Sequence, residues 1–243
     1  MTYIAPGGLI SRVHIPAAAL IAPASEQYVP PIPSNPARKV SGASKGHFTG
    51  QMVIPDRTRG RIVLSESRLE ILWTIYLLSL PEVETVVEQV EFKWYDEQGE
   101  YHPKYFDIVA VLRNGKRLAC EVKPVVRLQS GRVMRELRQI AAQLDGRFDA
   151  VRLLTDHDLD RISVHNAETF FAMRAPDPEA DAVATAVVAR LAGSAVLAEV
   201  SREVGLGARG TRALIRLIAD RKLRLCRHER ISLASCVRRV EVI

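Results

Sequence analysis

Four side chains in this sequence have the types and spacing to do chemistry together: Glu70, Asp107, Glu121 and Lys123. Glu121 and Lys123 stand two apart in the run Ala119, Cys120, Glu121, Val122, Lys123, Pro124, so on a strand they share a face. Acids gathered in one place repel, and burial raises the cost of charging them. A divalent cation removes that conflict: Mg²⁺ takes oxygen ligands, keeps several waters and needs only a few carboxylates. A cation held this way activates a water and neutralises charge on a phosphorane, and a neighbouring lysine orients the water or stabilises the same charge. The set points to metal-assisted phosphodiester hydrolysis. Glu70, Asp107 and Glu121 are the expected metal ligands, Lys123 the expected catalytic cation, and Mg²⁺ the expected cofactor, with Mn²⁺ as a substitute. Glu66 rivals Glu70 for the helix position. Taken singly, Glu121 with Lys123 is an ordinary surface pair and Asp107 a strand-end cap; only the spaced set points to a site.

Whether Asp107 joins the others depends on a turn. Arg113, Asn114, Gly115 and Lys116 separate two β-rich runs, Tyr105 to Leu112 and Arg117 to Lys123. A two-residue turn would pair Arg113 with Lys116, set Asp107 opposite Val122 and point it away from Glu121. A three-residue loop pairs Leu112 with Lys116 and sets Asp107 opposite Glu121 on one face, because a one-residue slip exchanges faces. That loop needs a left-handed residue in third place, which Gly115 supplies. The three-residue loop is therefore predicted. A bend at Asp107 is another route to the same end. His102 is read as a loop histidine close enough upstream to touch phosphate.

Around this hairpin the pattern alternates helix and strand. Ser65 or Ser67 can cap a helix through Leu69, Leu72, Trp73, Tyr76 and Leu77, with Pro81 beyond its end. Strand signals run from Val83 to Tyr95, and the apolar run Ile108 to Leu112 suits a strand buried on both faces. A helix over 131–144, a short strand over 151–154 and a helix over 166–173 follow. This is an α/β (α+β) order, a mixed sheet flanked by helices, as in a restriction-endonuclease-like core, although other small α+β domains share it. The prolines of 1–60 break every period, so an extended arm is expected there, with the core over 61–174 and a linker over 175–182. Residues 183–243 read as three short helices and a two-stranded wing, Leu223 to Leu225 with Arg230 to Leu233, which is the winged-helix pattern.

The chain has 243 residues and a net charge of +6. Residues 183–243 hold twelve Arg or Lys against five Asp or Glu, so the whole excess lies there. Such asymmetry suits a polyanion, with Arg209, Arg212 and Arg216 as candidates for DNA contact or protein docking. No apolar run approaches the roughly 20 residues that a bilayer requires, and the first residues lack the charged front of a signal peptide. No membrane and a cytoplasmic location are expected. Three cysteines, Cys120, Cys226 and Cys236, have no metal-ligand spacing and read as packing residues.

At these residues the chain resembles the TnsA family of transposon endonucleases, within the PD-(D/E)xK nucleases. The matching stretches are Glu66 to Glu70, the pair Phe106 and Asp107, the turn at Asn114 and Gly115, Glu121 to Pro124, Val151 to Asp156, and His165 to Ala167. The resemblance spans about 39–173, and the C-terminal winged helix looks like the family's second domain. By position it implies Glu70 as the helix acid, Asp107 and Glu121 as metal ligands and Lys123 as the catalytic lysine. Some relatives carry Gln at the place of Glu121, and the proline that often precedes the aspartate is displaced here to Pro103. The resemblance further implies a Mg²⁺-dependent subunit that cuts the 5′ ends of a transposable element in double-stranded DNA. A separate DDE transposase would process the 3′ ends, and an AAA+ ATPase regulator would contact the endonuclease. Two alternatives remain: a restriction- or repair-type nuclease of the same fold, and a non-catalytic winged-helix DNA-binding regulator.

Overall fold

The computed structural model describes residues 3–4, 10–11, 29–38, 49–56 and 59–241. The expected extended arm lies partly outside these residues. Within them, two short strands, β1 (Tyr3–Ile4) and β2 (Ile10–Ser11), pair with each other, and β3 (Gly50–Ile54) pairs antiparallel with β4 (Arg61–Ser65). The part of the arm next to the core is thus one leg of a hairpin, because Ile54 and Val63 bury their side chains against the core. Residues 29–38 also lie on the core: Ile32 bridges to Arg61, and the Ala37 N–H donates to the Gln89 carbonyl at 3.0 Å.

The central sheet has four strands in the order β5 (Val83–Tyr95), β6 (Tyr101–Leu112), β7 (Arg117–Val122) and β8 (Ala150–Leu154). The first three are antiparallel and β8 is parallel to β7, so the sheet is mixed. A parallel neighbour needs a crossover, supplied here by α2 (Arg132–Ala141). One face packs on α1 (Arg68–Leu78) and α3 (Arg161–Met173) through Trp73, Leu77, Val86, Ile108, Cys120 and Val122, and the other on α2 through Phe92, Phe106, Val109, Leu137 and Ile140.

Side-chain alternation inverts midway along this sheet. Phe106 and Val109 share a face although they are three apart, and so do Val87 and Val90. The inversion sits at the pair Gln89 and Asp107, which is missing from the β5–β6 register; a second irregularity lies at the end of the pair, between Val83 and Thr85. Gln89 has φ +49, a conformation that non-glycine residues rarely adopt. The expected bend at Asp107 is therefore present, and it extends to the neighbouring strand.

The C-terminal part holds α4 (Pro178–Arg190), β9 (Ser194–Val196), α5 (Leu197–Val204), α6 (Ala208–Ala219), β10 (Leu223–Leu225) and β11 (Cys236–Arg239). It departs from expectation in two places. The expected linker 175–182 contains the start of α4, capped by the Asp177 side chain with Pro178 in the first turn, a favoured helix start. Arg230 to Leu233 is not a strand: Asn166 and Ser235 take its Ile231 and Ser232 N–H groups, and β10 instead pairs with β11, which pairs with β9. α3 serves both cores, with Phe171 packed beside Leu77 and Val83 and its neighbour Phe170 beside the α4 and α6 residues. Among the described residues no helix is long and apolar enough to cross a membrane.

Candidate active site

The hairpin between β6 and β7 has the register that the site requires. Val111 pairs with Arg117 and Ile108 with Cys120, the last pair of the ladder, and one further step in this register is Asp107 with Glu121. The loop is the three-residue form: the Leu112 N–H donates to the Lys116 carbonyl at 2.8 Å, and Gly115 has φ +83. A side chain at that φ would be strained, which is the physical reason for a glycine there.

Asp107, Glu121 and Lys123 meet at the end of this hairpin. Lys123 Nζ lies 2.9 Å from Glu121 Oε1 and 3.5 Å from Asp107 Oδ2. The same Asp107 oxygen accepts the Val122 N–H at 2.8 Å, which fixes the carboxylate against β7. Both carboxylates are buried, whereas the Lys123 side chain keeps 36% of its exposure, so the cluster communicates with solvent through the lysine. A cleft of about 550 Å³ lies elsewhere, by Leu78 to Pro81, and is lined by none of these residues.

Lys104, which strict alternation along β6 would not bring to this group, stands 3.0 Å from Glu121 Oε2 and 3.0 Å from Glu136 Oε1 of α2. The inversion at Asp107 explains the miss, since Lys104 shares the α2 side with Phe106. The sequence signal was the polar pair Glu88 and Gln89 interrupting a strand of valines. Glu88 is held by Arg61 at 2.7 Å, and Gln89 Oε1 accepts from Arg38 Nε at 2.8 Å.

Glu70 occupies the first turn of α1. Ser67 is the N-cap: its Oγ accepts from the Glu70 N–H at 3.1 Å and donates to Glu70 Oε1 at 2.8 Å, while Oε2 accepts from the Glu66 N–H at 2.8 Å. This is a variant of the capping box in which the returning bond comes from the N–H one residue before the cap, so the acid anchors its own helix. Glu66 is paired with Arg38, whereas Glu70 is buried and electrostatically coupled to Asp107. Of the two rivals, Glu70 is the one whose carboxyl Asp107 raises.

The electrostatics are those of a cluster short of positive charge. Burial, then the Glu121 carboxylate, pushes the Asp107 carboxyl above its usual range, with Lys123, the Val122 N–H and Lys104 opposing. Burial, then Asp107, pushes Glu70 the same way. Burial disfavours charge on Lys123, but Asp107 and Glu121 outweigh it and hold the ammonium above its ordinary value.

A divalent cation fits part of this arrangement. Glu121 Oε2 is buried and has no directed hydrogen bond; Lys104 lies within ion-pair distance of it but poorly aligned to donate. Among the described residues no three His, Cys, Asp or Glu side chains stand close enough together to hold a metal ion. The expected triad is therefore not assembled: Asp107 and Glu121 offer two carboxylates, and Glu70 is engaged in its capping box. Two suffice for Mg²⁺, which commonly keeps most of its waters.

The three C-terminal arginines differ in placement. Arg216 is largely buried and binds Asp181 Oδ1 at 2.6 Å and the Met173 carbonyl at 3.0 Å. Arg209 grips Asp177 with two nitrogens and Glu179 with one. Arg212 is exposed. His102 meets Asp96 Oδ2 at 2.8 Å and the Trp94 ring.

Fold and cluster together define a mixed-sheet α+β protein with a carboxylate–lysine group at a hairpin end. Compared with known proteins, the chain matches no family model, and no curated protein is significantly similar to it.

Proposed function

We propose that this chain is a Mg²⁺-dependent DNA endonuclease of the TnsA type, the subunit that cuts the 5′ ends of a transposable element. In this reading the mixed sheet is a restriction-endonuclease-like core, and residues from 178 onward are a winged-helix module. The observation that carries it is the single ammonium of Lys123 within 3.5 Å of both Asp107 and Glu121 across a register set by Gly115. A structural ion pair needs one acid and one base, but here Asp107, Glu121 and Glu136 share Lys104 and Lys123. That imbalance suits a place where more positive charge is to be received.

A divalent cation bound by Asp107 and Glu121 supplies water activation and charge neutralisation. The chain's own residues do the rest. The Val122 N–H and Lys123 orient Asp107, Lys104 keeps Glu121 in place from the α2 side, and Lys123 has the exposure to reach a phosphate oxygen. Glu70 caps its own helix, and its carboxyl is raised by burial and by Asp107. With Arg209 and Arg216 committed inside the chain, the C-terminal module is read as a docking unit for the AAA+ ATPase regulator, and the 3′ ends fall to a DDE transposase.

The test is cleavage of double-stranded element ends by the full chain reconstituted with both partners and Mg²⁺. Wild type is expected to cut the 5′ strands and Asp107→Ala to leave them intact. Equal cutting by the two would overturn the assignment.

A further inference from the structure

Two of the three cysteines stand opposite each other beyond the end of a strand pair. The β10–β11 register, with Leu223 opposite Arg239 and Leu225 opposite Val237, runs on to Cys226 opposite Cys236, and the Cys226 N–H donates to the Cys236 carbonyl at 2.8 Å. A hydrogen-bonded antiparallel pair sets its Cα atoms about 5.5 Å apart, well within the span a disulfide bridges. The two Sγ atoms are 2.9 Å apart, with Cys226 exposed and Cys236 partly so. The neighbouring Cys236 thiol, then burial, pushes the Cys226 thiol above its ordinary value, while Arg238 and Arg224, two residues away on the same face, oppose that shift. Cys120 is buried in the central sheet, and burial pushes its thiol up to about 12, so it takes no part.

The segment between the two cysteines, 227–235, joins the C-terminal part to α3. Asn166 Nδ2 donates to the Glu229 carbonyl and Asn166 Oδ1 accepts the Ile231 N–H, each at 2.9 Å. His228 Nε2 meets Asp160, the cap of α3, at 2.7 Å. The Leu233 carbonyl accepts from the Ala198 N–H at 2.8 Å. A cross-link at the base of this loop would therefore hold a contact between the two cores.

We propose that Cys226 and Cys236 form a thiol–disulfide site, oxidised by a small disulfide such as oxidised glutathione, that clasps the loop 227–235 onto α3. This stands independently of the nuclease reading. In the first step the Cys226 thiolate attacks the oxidant's S–S bond, forming a mixed disulfide and releasing one thiol. In the second the Cys236 thiolate attacks Cys226 Sγ, forming the Sγ–Sγ bond and expelling the second thiol. The two cysteines lose two electrons, the oxidant gains them, and the two cysteine protons end on the released thiols.

The test uses the full chain equilibrated with oxidised glutathione, quenched with an alkylating reagent and counted under denaturing conditions. The reduced chain is expected to show three alkylated cysteines, and the oxidised chain one, at Cys120, with a mass lower by two hydrogens before labelling and a peptide linking positions 226 and 236. Cys120→Ser is expected to form the same link and Cys226→Ser to form none. Three reactive thiols after oxidation, stable glutathione adducts on both cysteines, or linked dimers in place of the internal bond would each overturn the site. Amide exchange at Ile231 is expected to slow about tenfold on oxidation, and equal exchange in both states would overturn the clasp.

Discussion

The hairpin cluster and the C-terminal arginines were both marked by charge, and they came to opposite ends. Asp107, Glu121 and Lys123 converge because a strand's two-residue period and a glycine turn leave their side chains one place to go. Arg209 and Arg216 were marked by a count, and a count does not see acids from a preceding segment. Residues 183–243 carry +7, but Asp177, Glu179 and Asp181, just upstream, reduce the unit that folds together to +4. Those three acids hold the two arginines. Local geometry along a strand is thus a stronger guide to a site than the charge of a helix face, whose partners arrive from anywhere.

Four experiments bear on this contrast. The largest effect is expected at the cluster: Asp107→Ala and Lys123→Ala should each lower reconstituted cleavage by a factor on the order of 100–1,000 or more, as loss of transition-state charge stabilisation does. Lys123→Ala should retain a Mg²⁺-induced rise in Tm and Asp107→Ala should not. Next, Arg216→Ala should cost about 2 kcal/mol, since it strips charge-assisted bonds from Asp181 and the Met173 carbonyl in a largely buried place. Arg209→Ala, on the surface, should leave thermal unfolding close to wild type, and comparable losses from both would erase the distinction between them.

A smaller effect is expected from the metal itself. Mg²⁺ at about ten times its dissociation constant should raise stability by about 1.4 kcal/mol, and Glu121→Gln should abolish that rise. The smallest effect concerns acidity. Asp107 and Glu70 have carboxyls raised by burial, so the stability they contribute is full below about pH 4, the unfolded carboxylate range. It is lost as pH rises through their higher folded values. Glu70→Gln keeps the capping box and should flatten this decline in urea titrations run from pH 4 to 8. An unchanged slope would show that Glu70 is not strained by its neighbours.

Much of the core was legible because its signals are local. Ser67 before an apolar stripe, Gly115 closing a three-residue loop and the uninterrupted Ile108 to Leu112 each gave an element that the structure contains. Lys104 was not legible, because its face depends on the inversion at Gln89 and Asp107, a property of two paired strands. Glu70 was placed on the right helix, but its capping bonds keep it from completing a ligand set with Asp107 and Glu121. The second wing strand was misplaced because Arg230 to Leu233 has strand-like residues, yet Asn166, far away in sequence, claims the Ile231 N–H.

The adjacent phenylalanines of α3 set a limit on dissection. Phe171 is roofed by one core and Phe170 by the other, so the helix is a party wall between them. A fragment that stops at Ala175 would keep the whole helix and turn Phe170, with the amide of Asn166, out into water. Such a piece would carry a sticky flank of its own making, and its behaviour would describe the cut rather than the protein.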